Sequence, residues 1–120
     1  MMFIIGEGAM RYLLGFGEST ARRQIETLKE FSTRPNVSIQ LLPFSVGPNP
    51  GLTGPFTILE LSNPYLSNII VHLETQGETT LTDDETDAGN YLDDFKALQG
   101  LAIQPDDLAE FLDALQAFRP

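Results

Sequence analysis

Apolar residues recur along this chain with two periods, and the change from one to the other marks its elements. Met2 to Ile5 is a short β-prone run, and Ala9 to Leu14 within GEGAMRYLLGFG has room for a helical turn or two. ESTARRQIETLKEFSTR carries Ile25 and Leu28 with Phe31 or Ser32 at helical spacing, one buried face of a helix that Glu18, Ser19 or Thr20 can cap. The Arg34-Pro35 step ends it, because a residue before proline avoids the helical region. In NVSIQLLPF the period becomes two. Val37, Ile39 and Leu41 alternate with Ser38, Gln40 and Leu42, as in a strand that Pro43 stops or places at an edge. PFTILEL and NIIVHLET read as two more strands, joined by SNPYLS with its hairpin-loop chemistry, and ETTL as a short last one. The helical period returns in TDDETDAGNYLDDFKALQGLAI, with Tyr91, Leu92, Phe95 and Leu98. It recurs in QPDDLAEFLDALQAF, where Leu108, Phe111, Leu112, Leu115 and Phe118 share a face.

A strand, a helix and a strand in succession suggest a βαβ unit, with parallel strands and a right-handed crossover. The expected fold is therefore mixed α/β (α+β). It has a small mixed sheet of four or five strands, a crossover helix and two C-terminal helices. At 120 residues the chain is one domain by length. Residues 1–82 form its strand-helix-strand-loop-hairpin core and residues 83–120 a two-helix C-terminal part.

Composition narrows the function. With no cysteine, disulfides, thiol catalysis and Cys-zinc sites are excluded, and a reducing compartment fits. No apolar run approaches the roughly 20 residues that span a bilayer, and no basic segment precedes the apolar start as in a secretory signal. The cytoplasm is the expected compartment, with no membrane partner. The net charge of −10 is uneven: residues 1–35 hold five bases and four acids, residues 36–120 two bases and thirteen acids. Such a surface repels a phosphate backbone, so this chain is expected not to hold DNA by itself. The acidity serves solubility, or it forms a docking face for a basic partner.

Reactive groups are few. His72, the single histidine, lies in the strand run IIVHLE with Glu74 two residues on. Catalysis would need a nucleophile in reach, and no serine stands in a G-x-S-x-G context, so a polar strand residue or a ligand contact fits better. The strand-helix-strand order faintly resembles that of phospholipase-D-like nucleases, but their H-x-K motif is missing, since Leu73 and Glu74 follow His72. Asp83, Asp84, Glu85 and Asp87 lack the spacing of a calcium loop and suit a helix start instead. The glycines after Ile5 match no phosphate-binding motif, and no cofactor is implied. The loop PFSVGPNPGLTGP carries no reactive side chain. It is either an Ω-like cover for one end of the sheet, using Phe44, Val46 and Leu52, or a lid over a pocket.

RRQIETLKEFSTRPNVSIQLLPFSVGPNPGLTGPFTILEL closely resembles the core of a domain of unknown function. That domain follows the helix-turn-helix in many actinobacterial regulators of the XRE type, the WhiJ-like or antitoxin-like transcriptional regulators. Gln24, Ile25 and Leu28 sit at its Q-L-x-x-L helix, Arg34 to Val37 match R-P-N-V, and Ile39 to Pro43 its V-Q-V-L-P strand. Pro50, Gly51, Leu52, Gly54, Pro55 and Phe56 match its G-x-H-P-G-L-x-G-P-F loop, where Asn49 stands in place of a frequent histidine. Leu59 to Leu61 match the next strand, Glu7 to Arg11 resemble its E-x-A-L-R, and Tyr91, Phe95 and Leu98 its Y-x-x-x-F-x-x-L helix. Thr75 to Asn90 align less cleanly, and no helix-turn-helix precedes Met1, so the segment is expected to be an excised or a stand-alone version.

The resemblance implies a cytoplasmic, non-enzymatic regulatory domain that senses a ligand, binds a small partner protein encoded nearby, or dimerises. Through any of these it tunes a linked DNA-binding domain. A stand-alone antitoxin-like interaction module is the alternative, and a phosphodiesterase- or nuclease-like enzyme a more distant one. The residues singled out as ligand or partner contacts are Glu7, Arg11, Gln24, Phe44, Asn49, Pro50, Leu52 and His72.

Overall fold

The alternating run in the middle of the chain forms a strand, and its partner is the short run at the start. A computed structural model describes residues 1–60, 69–75 and 78–117, with the backbone alone at 52–53 and 74–75. Leu61, the expected hairpin loop SNPYLS and Phe118 lie outside the described residues. The chain divides into two compact units, Met1–Gly47 with Gln99–Pro120, and Pro48–Leu98.

In the first unit β1 (Met2–Gly6) pairs in parallel with β2 (Ser38–Leu42), Phe3 opposite Ile39 and Ile5 opposite Leu41. A parallel pair needs a crossover. Here it consists of two helices, α1 (Glu7–Leu14) and α2 (Glu18–Ser32). The far side of β2 meets Ile103, whose N–H donates to the Leu41 carbonyl at 2.8 Å. A tight turn at Pro105–Asp107 leads into α4 (Leu108–Ala117). Ile39 and Leu41 then join Met10, Leu14, Ala21, Ile25, Leu108, Leu112 and Leu115 in one core cluster. Gln40 points the opposite way along the strand and is buried as well. Its amide donates to the carbonyls of Gln99 and Ile103 at 3.0 and 3.4 Å.

Helix α2 starts differently from expectation. No side chain caps it; the residue before it is Gly17, with φ of 109°, a conformation open to glycine and strained for other residues. The short passage out of α1 requires that backbone twist, so Glu18, Ser19 and Thr20 fall inside the helix. Its end is as the sequence predicts, before Pro35, where the Thr33 hydroxyl donates to the Glu30 carbonyl at 2.6 Å.

In the second unit β3 (Phe56–Glu60), β4 (Ile69–Thr75) and β5 (Glu78–Thr82) form an antiparallel sheet in that order. α3 (Glu85–Leu101) follows, and its last three residues belong to the first unit. The Asp84 carboxylate accepts from the Asp87 N–H at 3.0 Å, so the acidic run serves the helix start. The Phe56 ring lies 5.2 Å from that of Tyr91 and 6.5 Å from that of Phe95. The mixed α+β class is the expected one, while in place of the expected single sheet the five described strands are shared between a two-stranded and a three-stranded sheet. The central loop is divided too. Phe44–Val46 and Pro50–Thr53 form separate tight turns around Gly47, whose φ is 69°. The boundary between the units falls at Gly47 and Pro48. Among the described residues no helix is long and apolar enough to cross a membrane.

Candidate functional site: an apolar groove beside the parallel strands

Alternation along β1 and β2 puts Phe3, Ile5, Val37 and Ile39 on one face of the sheet. Residues 24, 27, 28 and 31 of α2 form the i, i+3, i+4, i+7 stripe that faces them. Towards α4 this sandwich is filled by the core cluster. At the other end it opens into a groove of about 460 Å³, lined by Phe3, Ile5, Gln24, Thr27, Leu28, Phe31, Arg34, Asn36, Val37 and Ile39 together with Met1. Phe3 is 45% and Phe31 39% exposed, large apolar area left in water at the groove mouth. The volume falls within the range of about 300–1,000 Å³ usual for small-molecule sites. The Arg34 guanidinium stacks 4.3 Å above the Phe31 ring.

Three of the predicted contact residues meet elsewhere in the first unit. Glu7, in the first turn of α1, is buried. Its carboxylate accepts from Arg11 Nε at 2.6 Å and from the Phe44 backbone N–H at 3.0 Å. Arg11 in turn lies 5.7 Å from the centre of the Phe44 ring. This cluster ties the turn after β2 to α1, and it leaves the Phe44 ring 61% exposed. Tyr12 and Phe16 form an edge-to-face pair nearby in sequence, both largely exposed.

Gln24 lines the groove. Asn49 and Pro50 belong to the second unit, where the Asn49 side chain accepts from the Gly51 N–H at 2.8 Å and caps the tight turn at Pro50–Thr53. A Cβ at Gly51 would stand 2.9 Å from that oxygen and 3.5 Å from Leu98, so the turn and its cap need glycine there. The side chains of Leu52 and of Glu74, the suggested partner of His72, lie outside the described residues. His72 pairs with Thr57 on β3 and Leu81 on β5, and with Pro55, Phe56 and Thr57 lines a small cavity of about 140 Å³. Among the described residues no group of three or more histidine, cysteine or acidic side chains is placed to hold a metal ion.

Seven of the eight predicted contacts thus fall in four places, and the groove contains one of them. Phe3, Leu28, Phe31 and Arg34 carry no site signal singly, because each has an ordinary reading alone: a strand apolar residue, a helix face, a helix end. The signal was the joint pattern, a helical stripe at 24, 27, 28 and 31 ending in an arginine. Lys29, on the other side of α2, bonds the Asp113 carboxylate of α4. That bond and the charges of Asp113 and Glu26 hold its pKa above the ordinary 10.5.

The family model described as "Domain of unknown function (DUF5753)" matches residues 1–114, nearly the whole chain. The chain belongs to that family. No curated protein and no solved structure matches it. The match covers both units, so the parallel pair with its groove and the antiparallel sheet are parts of the same family domain.

Proposed function

We propose that this domain is the sensing part of a helix-turn-helix transcription regulator of the XRE type, a binding module rather than an enzyme. It has no hold of its own on DNA and changes the affinity of a linked DNA-binding domain. The observation that carries this reading is the groove: shaped and apolar, with no histidine, lysine or acidic side chain among its described lining residues to act as a general base. The acidity of the chain supports the assignment of DNA binding to another segment. An effector acts at a distance only by favouring one of two states, so the test is differential. A Thr27→Trp variant, which fills the groove, is expected to change the operator affinity of a regulator carrying this domain. In fluorescence anisotropy with labelled operator, unchanged affinity and unchanged effector response would overturn the sensing role. The isolated chain is expected to leave duplex DNA unbound at physiological salt, and turnover of a phosphodiester with divalent metals would contradict a non-enzymatic module.

The exposed aromatic residues Tyr12, Phe16 and Phe44, with Arg11, favour a second reading, an antitoxin-like interaction module. Aromatic and arginine side chains dominate binding energy at protein interfaces. Its partner would be the small protein encoded nearby. Loss of that complex in Tyr12→Ala but not in Thr27→Trp would select this reading.

A further inference from the structure

The groove has a chemical polarity of its own. The chain carries seventeen acids and a net charge of −10, yet none of the described residues lining the groove is acidic. One side-chain cation stands there, Arg34, held against the Phe31 ring and without a carboxylate partner among the described residues. The walls are aliphatic and aromatic, and the amides of Gln24 and Asn36 are the other polar side chains beside the Thr27 hydroxyl.

From this we infer that the groove binds a small amphipathic carboxylate, with an apolar tail between Phe3, Ile5, Leu28 and Val37 and its head paired with Arg34. The inference deepens the sensing role proposed above and rests on the domain being a binding module. A planar guanidinium matches a carboxylate in a two-pronged bond. Stacking on Phe31 restrains Arg34 before the ligand arrives, which lowers the ordering cost of binding. A doubly charged phosphate fits less well. Among the described lining residues the guanidinium is the one cationic side chain, the Met1 α-ammonium is engaged by the Asn36 carbonyl at 2.7 Å, and no helix N-terminus opens on the groove to supply backbone donors.

Calorimetric titration of the full chain with sodium dodecanoate below its micelle concentration tests this, with 1-dodecanol and dodecyl phosphate as probes of the head group. Saturable one-to-one binding of dodecanoate is expected, tighter than either control. Arg34→Gln should weaken it by about 10- to 100-fold, the effect of a charged hydrogen bond, while leaving dodecanol binding unchanged. Arg34→Lys should fall between, and Thr27→Trp should abolish binding of both; thermal melts of each variant confirm that it is folded. Equal affinity of dodecanoate for the parent chain and Arg34→Gln would overturn the inference, as would saturable binding of an apolar peptide carboxylate in the absence of dodecanoate binding. Dodecanoate binding that leaves operator affinity of the linked regulator unchanged would uphold the groove chemistry and reject the sensing role. An operator response to a protein partner with no dodecanoate binding would do the reverse.

Discussion

The two units of this domain are built on opposite terms. The first gathers nine buried apolar side chains from β2, α1, α2 and α4 into one cluster, with Ile5 of β1 packed against it. In the second, Val71, Ala88 and Leu98 are the buried apolar residues among those described, and β5 is exposed along most of its length. Charge divides the same way: residues 48–98 hold nine of the seventeen acids and one base, Lys96. A two-stranded parallel sheet is stable only when covered, so the first unit depends on side-chain burial. An antiparallel sheet of three strands satisfies its own backbone and tolerates a wet face, so the second unit depends more on its hydrogen-bond ladder.

The largest test of this contrast is Leu112→Ala, which empties a fully buried position and should cost about 2–5 kcal/mol by chemical denaturation. Hydrogen exchange should show β2 amides losing protection well before those of β4; equal loss in both would erase the distinction between the units. Next come the buried polar groups of the first unit. Glu7→Ala leaves the Phe44 N–H without its acceptor and Arg11 without its partner, and Gln40→Leu leaves the Gln99 and Ile103 carbonyls without that donor. Each should cost about 1–3 kcal/mol. In the second unit Gly51→Ala should displace the Asn49 cap for about 1 kcal/mol, with shifts in two-dimensional NMR spectra confined to residues around the turn and Leu98.

The smallest effect belongs to the Lys29–Asp113 pair. Asp113 is 62% exposed, so solvent screens the pair and Asp113→Asn should cost well under about 1 kcal/mol. The folded-state pKa of Lys29 is raised, so the contribution is fully present below 10.5 and is lost as pH rises through the higher folded value. Melting curves of the parent and Asp113→Asn should therefore keep a constant small gap from pH 7 to 9 and converge in stronger alkali.

Much of the local structure was legible in the sequence. The period-two run at Val37–Leu41 and the stripe at Ile25 and Leu28 gave β2 and α2, and the apolar face from Leu108 to Leu115 gave α4. The sharing of strands between two sheets was not, because alternation marks which residues face a core and leaves the neighbouring strand unspecified. The free side of β2 is met by Ile103, a single residue from the C-terminal part with no strand pattern of its own. Glu18, Ser19 and Thr20 mask the role of Gly17 in the sequence, since a left-handed φ leaves no mark beyond the glycine itself. At the candidate groove, Gln24 is marked by the family resemblance alone. The position of Arg34 before a proline marks a helix end and gives no sign of its stacking on a side chain one helical turn back.

The first unit is discontinuous in the chain: its strands come from the first 42 residues and its last helix from Leu108 to Ala117. On the ribosome this sets an order of assembly. The parallel strands emerge early with Ile25 and Leu41 in place, and they wait for the whole 48–98 segment before Leu108, Leu112 and Leu115 arrive to seal the core. During that interval an apolar surface stands open at both ends of the sandwich. The less greasy, more acidic segment is the one that can pair its strands first, and its charge keeps the nascent chain in solution while the remainder is made.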